Sequence, residues 1–171
     1  MKMTDEELHI AIHDALHDCI EHYLLYKAFY EYIDKTMVLD EKMLLAKTCN
    51  AHIQMCYTIW CKVFGREQTT HYETVVNKNT FLERLEVDYG ITASEFEKYA
   101  SEARRFRNKY VAHTEKAAVI VPVFDMAKKA IITLDNMLDN NVYGIPFGTI
   151  EGYCAVTDGK YRDIVAKMVC G

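Results

Sequence analysis

The chain has 171 residues, of which 50% are hydrophobic, with only seven glycines and two prolines. This length suits one domain with a substantial core, and the composition is typical of a helical globular protein. The net charge of −5 argues against a protein that coats nucleic acid non-specifically. The longest apolar run, residues 117–124, is too short to cross a bilayer, and the acidic first ten residues lack the apolar run of a secretory signal.

Two long amphipathic helices are predicted in the first 65 residues. Thr4 and Glu7 have the spacing of a capping box at the start of the first helix, which continues to about Ile33. The second helix spans about 40–64 and ends before Gly65, the residue type most common just past a helix C-terminus. Apolar residues recur at helical spacing along both segments, which predicts that each buries one face.

Two shorter helices are predicted next. The third spans about 80–89 and is followed by Gly90, again a typical helix stop. Thr92 and Glu95 form a second capping-box pattern, which predicts the start of a fourth helix over about 93–113.

The remainder of the chain is predicted to be less regular. Residues 117–121 favour an extended segment, and a fifth helix is predicted over 122–140, because proline is tolerated in a first turn. Residues 144–171 are rich in glycine, which predicts loops and one short helix near 161–169. The predicted fold is therefore an all-α antiparallel bundle of four to six helices over 1–143, with a short C-terminal extension packed on the same domain.

Six cysteines occur without a Cys-x2-Cys pair, at positions 19, 49, 56, 61, 154 and 170. Several fall on the apolar faces of predicted helices, where a thiol acts as a small hydrophobic side chain. We therefore expect reduced core thiols, the usual state in the cytoplasm, rather than a zinc site. The predicted localisation is cytoplasmic, with no membrane contact.

The first helix carries a row of histidines spaced by four, His9, His13 and His17. This is the spacing with which one helix presents imidazoles to a transition metal. The alternative interpretation is a polar flank beside the apolar stripe. Because no second helix offers an evident complementary group of ligands, neither a metal nor another cofactor is predicted.

Arg107 has an unusual position on the fourth helix. It falls within about 40° of the line through Phe96, Ala100 and Ala103, in the middle of the apolar stripe. A cation there is costly to bury without a partner. Either Arg107 pairs with a core carboxylate, or this face opens into a cleft where it meets an anion. His113, with an ordinary pKa close to neutrality, is then the natural proton-transfer group beside that anion.

Basic residues are concentrated around this motif. Residues 98–116 carry a net charge of +4, so the remainder of the chain carries −9. The basic residues of this segment are Lys98, Arg104, Arg105, Arg107, Lys109 and Lys116. A basic segment on an acidic body favours a confined anion site, although a solvated helix face is the more common origin of such a run.

The motif resembles the R-x(4–6)-H signature of the HEPN superfamily. Five residues separate Arg107 from His113, and the usual polar residue, Asn108, directly follows the arginine. The preceding helix and the following Thr114-Glu115 resemble the abortive-infection type of HEPN domain. HEPN toxins paired with a nucleotidyltransferase antitoxin often carry a tyrosine two residues after the histidine, whereas this chain has Glu115.

The resemblance covers residues 92–116 well and 1–140 loosely. It implies a metal-independent endoribonuclease, in which the RNA 2′-hydroxyl attacks the adjacent phosphorus and leaves 2′,3′-cyclic phosphate ends. His113 would then transfer a proton, Arg107 would hold the phosphate, and Asn108 would orient the phosphate or the histidine. Arg104, Lys109 and Lys116 would contact backbone phosphates of the RNA.

A homodimer is also expected. On one straight helix Arg107 and His113 are separated by about 240° around the helix axis and about 9 Å along it. Their side chains then point in directions too different to share one phosphate easily. Two motifs that face each other across a twofold axis would solve this, and HEPN proteins are typically dimers of that kind. A bend near Val111 is the alternative.

The resemblance implies a toxin or phage-defence (abortive infection) effector, with RNA as its substrate and an antitoxin or regulatory protein as a further partner. Two alternatives stay open. HEPN-like bundles also serve as non-catalytic interaction modules or nucleotide- or RNA-binding modules. The chain could equally form a purely structural helical homodimer in which Arg107 is salt-bridged inside the interface.

Overall fold

The computed structural model describes residues 3–35, 38–66, 69–110, 121–138 and 149–170. Within these ranges every regular element is helical. The elements are α1 (Asp5–Ile33), α2 (Leu39–Phe64), a 3-10 turn (Tyr72–Thr74), α3 (Lys78–Tyr89), α4 (Ala93–Tyr110), α5 (Phe124–Met137) and α6 (Ile150–Cys170). The prediction of an all-α helical bundle is confirmed.

Both predicted capping boxes are present. The Thr4 hydroxyl accepts a hydrogen bond from the Glu7 N–H at 3.2 Å, and the Glu7 carboxylate accepts one from the Thr4 N–H at 2.8 Å. The same exchange joins Thr92 and Glu95, at 3.3 and 2.9 Å. These bonds satisfy N–H groups that the first turn of a helix leaves unpaired, so α1 and α4 begin where the sequence predicted.

The predicted glycine stops after α2 and α3 are confirmed. Gly90 adopts a left-handed conformation with φ 68°, which suits glycine far better than residues with a side chain. At Gly65 a Cβ atom would lie 2.1 Å from the Cys61 carbonyl oxygen, so any side chain there would clash with the last turn of α2.

The helices pack around one aromatic core. Helix α1 packs chiefly against α2 and next against α6, while α2 also packs on α4 and α3 on α5. The buried Tyr57 donates a hydrogen bond to the Pro122 carbonyl at 2.6 Å, and its hydroxyl lies 2.9 Å from that of Tyr99. These bonds join α2, α4 and the segment before α5. Among the described helices, none combines the length and apolarity that a membrane span needs.

The C-terminal segment differs from the prediction. Instead of loops and a short helix near 161–169, α6 begins at Ile150 and runs through Gly152 and Gly159. Each glycine costs a helix about 1 kcal/mol relative to alanine, which is why the sequence favoured loops. Tertiary contacts offset this cost, because α6 packs on α1 and the Ile150 N–H donates to the Asp135 carboxylate at 2.8 Å.

Helix α5 begins slightly later than predicted. Pro122 precedes the helix rather than opening it, because Val123 is extended, with ψ 124°, and Phe124 is the first helical residue. The predicted extended segment 117–121 lies outside the described residues except at its last position. The division of the chain near residue 143 falls in the undescribed range as well and stays a prediction.

Candidate anion-binding cleft beside helix 4

The predicted buried stripe of α4 is present, and Arg107 continues it. Phe96, Ala100 and Ala103 are buried, and Arg107 is half-buried one turn further along the helix. The guanidinium Nε donates a hydrogen bond to the Oδ1 atom of Asn108 at 3.1 Å. Since Asn108 is exposed, this bond holds one edge of the guanidinium towards the protein surface.

A cleft of about 660 Å³ lies beside the same helix. Its wall includes Arg104, one turn before Arg107 and Asn108, and it is closed on the other side by the end of α2 and the 3-10 turn. Three basic side chains line it against two acidic ones: Arg66, Lys78 and Arg104 against Glu73 and Glu97. The cleft is therefore weakly positive on a chain whose net charge is negative.

One acidic residue of the cleft is already neutralised. The Glu97 carboxylate accepts a hydrogen bond from Lys78 Nζ at 3.0 Å, an ion pair that ties the start of α3 to α4. The positive charge of Arg104 is held on the neighbouring turn of α4, four residues before Asn108. The arginine side of the cleft is therefore the part best suited to an anion.

His71 is a titratable side chain that lines this cleft and that the sequence pattern did not connect with the Arg107 motif. It precedes the 3-10 turn, and its Nδ1 atom accepts a hydrogen bond from the Glu73 N–H at 3.4 Å. Burial lowers the pKa of His71, and the cations of Lys78 and Arg104 act in the same direction, against the opposing effect of Glu73. A neutral imidazole at pH 7 therefore lines the cleft. In the sequence His71 stands out only by its position just before the 3-10 turn. Its place in the cleft beside α4 results from the tertiary fold.

The remaining predicted site residues are distributed as follows. Arg104, Arg107 and Asn108 lie on adjacent turns of one side of α4. Lys109 is exposed and lies about 140° round the helix from Arg104, away from the cleft. His113 and Lys116 lie outside the described residues.

The histidine row of α1 separates into two environments. His9 donates from Nδ1 to the Asp5 carbonyl at 2.9 Å. His13 and His17 instead meet Asp135 of α5, and one ligand atom from each of these three residues lies within 4.8 Å of the others. No complementary group of ligands on a second helix is evident from the sequence, and the structure brings one carboxylate, that of Asp135, to this row. Asp135 lies 122 positions along the chain from His13, and local sequence spacing carries no sign of the contact.

Comparisons of this chain with protein-family models, with curated proteins and with solved structures gave no match. The fold and the site thus define the protein only as a class: an all-α bundle with a weakly basic cleft beside a half-buried arginine.

Proposed function

We propose that this protein is a metal-independent endoribonuclease of the HEPN type, a cytoplasmic toxin or phage-defence effector. The observation that carries the proposal is the position of Arg107. It ends the buried stripe of α4, bonds to Asn108, and follows Arg104 of the basic cleft by one turn. An arginine held in this way presents its planar set of donors to a phosphate.

In the proposed reaction the RNA 2′-hydroxyl oxygen forms a bond to the adjacent phosphorus, and the bond from phosphorus to the 5′-oxygen breaks. His113 takes the proton of the attacking hydroxyl or delivers one to the leaving oxygen, and solvent water carries out the other of these two proton transfers. Arg107 stabilises the additional negative charge of the transition state, and Asn108 orients the guanidinium and the phosphate. The products are a 2′,3′-cyclic phosphate and a 5′-hydroxyl.

The cleft would hold the flanking RNA. Arg104 contacts a neighbouring phosphate, and the neutral imidazole of His71 offers it a further hydrogen bond. Lys109 and Lys116 stay proposed as outer phosphate contacts. A homodimer would bring the histidine of one protomer to the arginine of the other, and an antitoxin or regulatory protein would control the activity.

The test is cleavage of a mixed-sequence RNA in the presence of EDTA. Wild-type protein should cleave, and Arg107→Ala should lower the rate by on the order of 100-fold or more, because transition-state charge stabilisation is lost. The matched control is Arg105→Ala, which removes the same charge from an exposed position on the same helix. Equal rates in the two variants, or no cleavage by the wild type, would contradict the proposal.

A non-catalytic RNA- or nucleotide-binding module is the second candidate. The cleft favours it independently of the Arg107 motif, because its basic wall also includes Arg66, which lies outside α4. In that case RNA would bind in an Arg104-dependent manner and stay intact. A purely structural dimer would instead give no RNA binding, and Arg107→Ala would shift the protein from dimer to monomer.

A further inference from the structure

Three polar side chains from two helices meet inside the bundle, near the start of α6. His13 of α1 and Asp135 of α5 are each only 1% exposed, and His17 is half-buried one turn beyond His13. One donor atom from each residue lies within 4.8 Å of the other two. A fully buried imidazole is costly unless its ring nitrogens are hydrogen-bonded or bound to an ion.

The imidazole of His13 is the observation that points to a ligand here. Both of its ring nitrogens are buried, and neither has a hydrogen-bond partner among the described residues. Its Nε2 atom lies 3.9 Å from Asp135 Oδ1, beyond the roughly 3.2 Å limit of a good hydrogen bond. Its Nδ1 atom lies 3.8 Å from Asp14 Oδ1, again too far.

The carboxylate of Asp135 is oriented by a hydrogen bond from α6. Its Oδ2 atom accepts the Ile150 N–H at 2.8 Å, in the first turn of α6. The other oxygen, Oδ1, is the one that faces His13. Carboxylates that ligate metals are typically hydrogen-bonded in this way, since the second contact orients the ligand.

We propose that His13, His17 and Asp135 bind a divalent transition-metal ion of the zinc class. Imidazole nitrogen and carboxylate oxygen are its usual ligands, and histidines spaced by four present both rings from one helix face. Around a tetrahedral ion with bonds of about 2.0–2.1 Å, ligand atoms stand about 3.4 Å apart. The three donor atoms lie within 4.8 Å of one another, with His13 Nε2 3.9 Å from Asp135 Oδ1, so the side chains would have to rotate closer together around the ion.

The surface beside His17 provides access for the ion. A pocket of about 330 Å³ adjoins His17 and is lined by Asp14, Asp18, Glu21 and Tyr153. Three carboxylates at its wall attract cations, and the opening leaves room for water as a fourth ligand. The ion would fasten α1 to α5, and through Asp135 to the start of α6. The site does not depend on the proposed ribonuclease activity, because the cleft beside α4 uses other residues.

The test is metal binding by protein that has been stripped with a chelator and dialysed. Calorimetric titration with Zn²⁺ should give one ion per chain, and the melting temperature should rise with excess metal. Bound Co²⁺ should give visible d–d absorption without a sulfur-to-cobalt charge-transfer band, which separates this site from the cysteines. No stoichiometric binding, or a thiolate band, would overturn the proposal.

Two variants locate the site. His17→Gln should weaken Zn²⁺ binding by more than about 100-fold, since even outer-shell changes cost 10–100-fold. His9→Gln, on the same helix but outside the cluster, should bind as the wild type does. Circular dichroism checks that both are folded, and equal affinity in the two would contradict the assignment. If chelation also stopped RNA cleavage and Zn²⁺ restored it, the metal site would stand and the metal-independent mechanism would fail.

Discussion

The Nε atom of Arg107 donates a hydrogen bond to the side-chain oxygen of Asn108, 3.1 Å away. The bond joins a half-buried cation to an exposed amide on the next residue, so Asn108 helps to orient the Nε edge of the guanidinium. Phosphate binding by Arg107 in the proposed function requires an uncharged neighbour, because a carboxylate in the same place would compete with phosphate for the guanidinium.

Asn108→Asp tests this relationship. The aspartate keeps the shape of the side chain and accepts the same hydrogen bond, but it places a negative charge beside the proposed phosphate site. We expect RNA cleavage to fall by on the order of 10-fold or more, since a charge-assisted contact of the guanidinium is redirected. Asn50→Asp, at an exposed position of α2, adds the same charge elsewhere and should leave the rate unchanged. Equal rates in the two variants would argue against a phosphate at Arg107.

Arg104→Ala tests the cleft as the RNA-binding surface. Removing one phosphate contact should weaken RNA binding at all sequences and reduce the slope of log K against log salt by about 1. Arg105→Ala loses the same charge from the exposed side of α4 and serves as the control. The measurement is fluorescence anisotropy over a series of salt concentrations. An unchanged slope in Arg104→Ala would exclude a direct phosphate contact.

A homodimer with a composite site predicts a particular complementation pattern. Arg107→Ala and His113→Ala homodimers should each be nearly inactive, because each loss costs on the order of 100-fold or more. Heterodimers formed by subunit exchange retain one arginine and one histidine on opposite chains, and activity should reappear in the mixture.

The control for this experiment pairs a wild-type chain with a chain that carries both substitutions. Full activity per site in that hybrid, with none in the mixed single variants, would mean that the site is complete within one chain. A strictly monomeric mass at micromolar concentration would contradict the dimer directly.

Stability should decrease as the pH falls below about 6.5. Burial lowers the pKa of His52, with a further contribution from His22, whose Nδ1 lies 2.8 Å from that of His52. Burial lowers the pKa of His71 as well. The unfolded chain, with histidine pKa values near 6.5, then binds more protons than the folded chain, so stability is full above that pH and is lost as the pH falls through the lower folded values.

The effect is measured by urea unfolding at about pH 7.5, 6.5 and 5.5, which lie above, at and below the ordinary histidine pKa. His52→Gln should show a weaker pH dependence than the wild type, because one of the depressed pKa values is removed. His9→Gln, outside this pair, should keep the wild-type dependence. Stability that stays constant or increases towards acid would show that these half-buried histidines do not control it.

Local signals in the sequence were sufficient for much of the helical framework. Each capping box, Thr4 with Glu7 and Thr92 with Glu95, forms within one turn. Gly90 ends α3 through its own backbone conformation. Residues next to these helix ends therefore determine where the helices begin or end. The stripe on α4 likewise follows from its period. The length of α6 was missed because contacts with α1 and α5 outweigh the local cost of its glycines.

The two clusters of titratable side chains depend on contacts between distant segments. His71 reaches the cleft only because the loop after α2 returns to α4, and Asp135 meets His13 only because α5 packs on α1. Neither contact has a local pattern in a single sequence. Residue type and helical period are thus sufficient to identify Arg107 and the histidine row as candidates, but they do not predict which side chains these residues meet.

The most direct test of the proposed function is the chemistry of the cleaved ends in the presence of EDTA. An RNA oligonucleotide and its all-DNA counterpart are incubated with wild-type protein, and the product ends are identified by mass spectrometry. The proposed function predicts 2′,3′-cyclic phosphate and 5′-hydroxyl ends from the RNA, an intact DNA strand, and loss of both products with Arg107→Ala. Cleavage of the DNA, products with 5′-phosphate ends, or cleavage only after a divalent metal is added would contradict it.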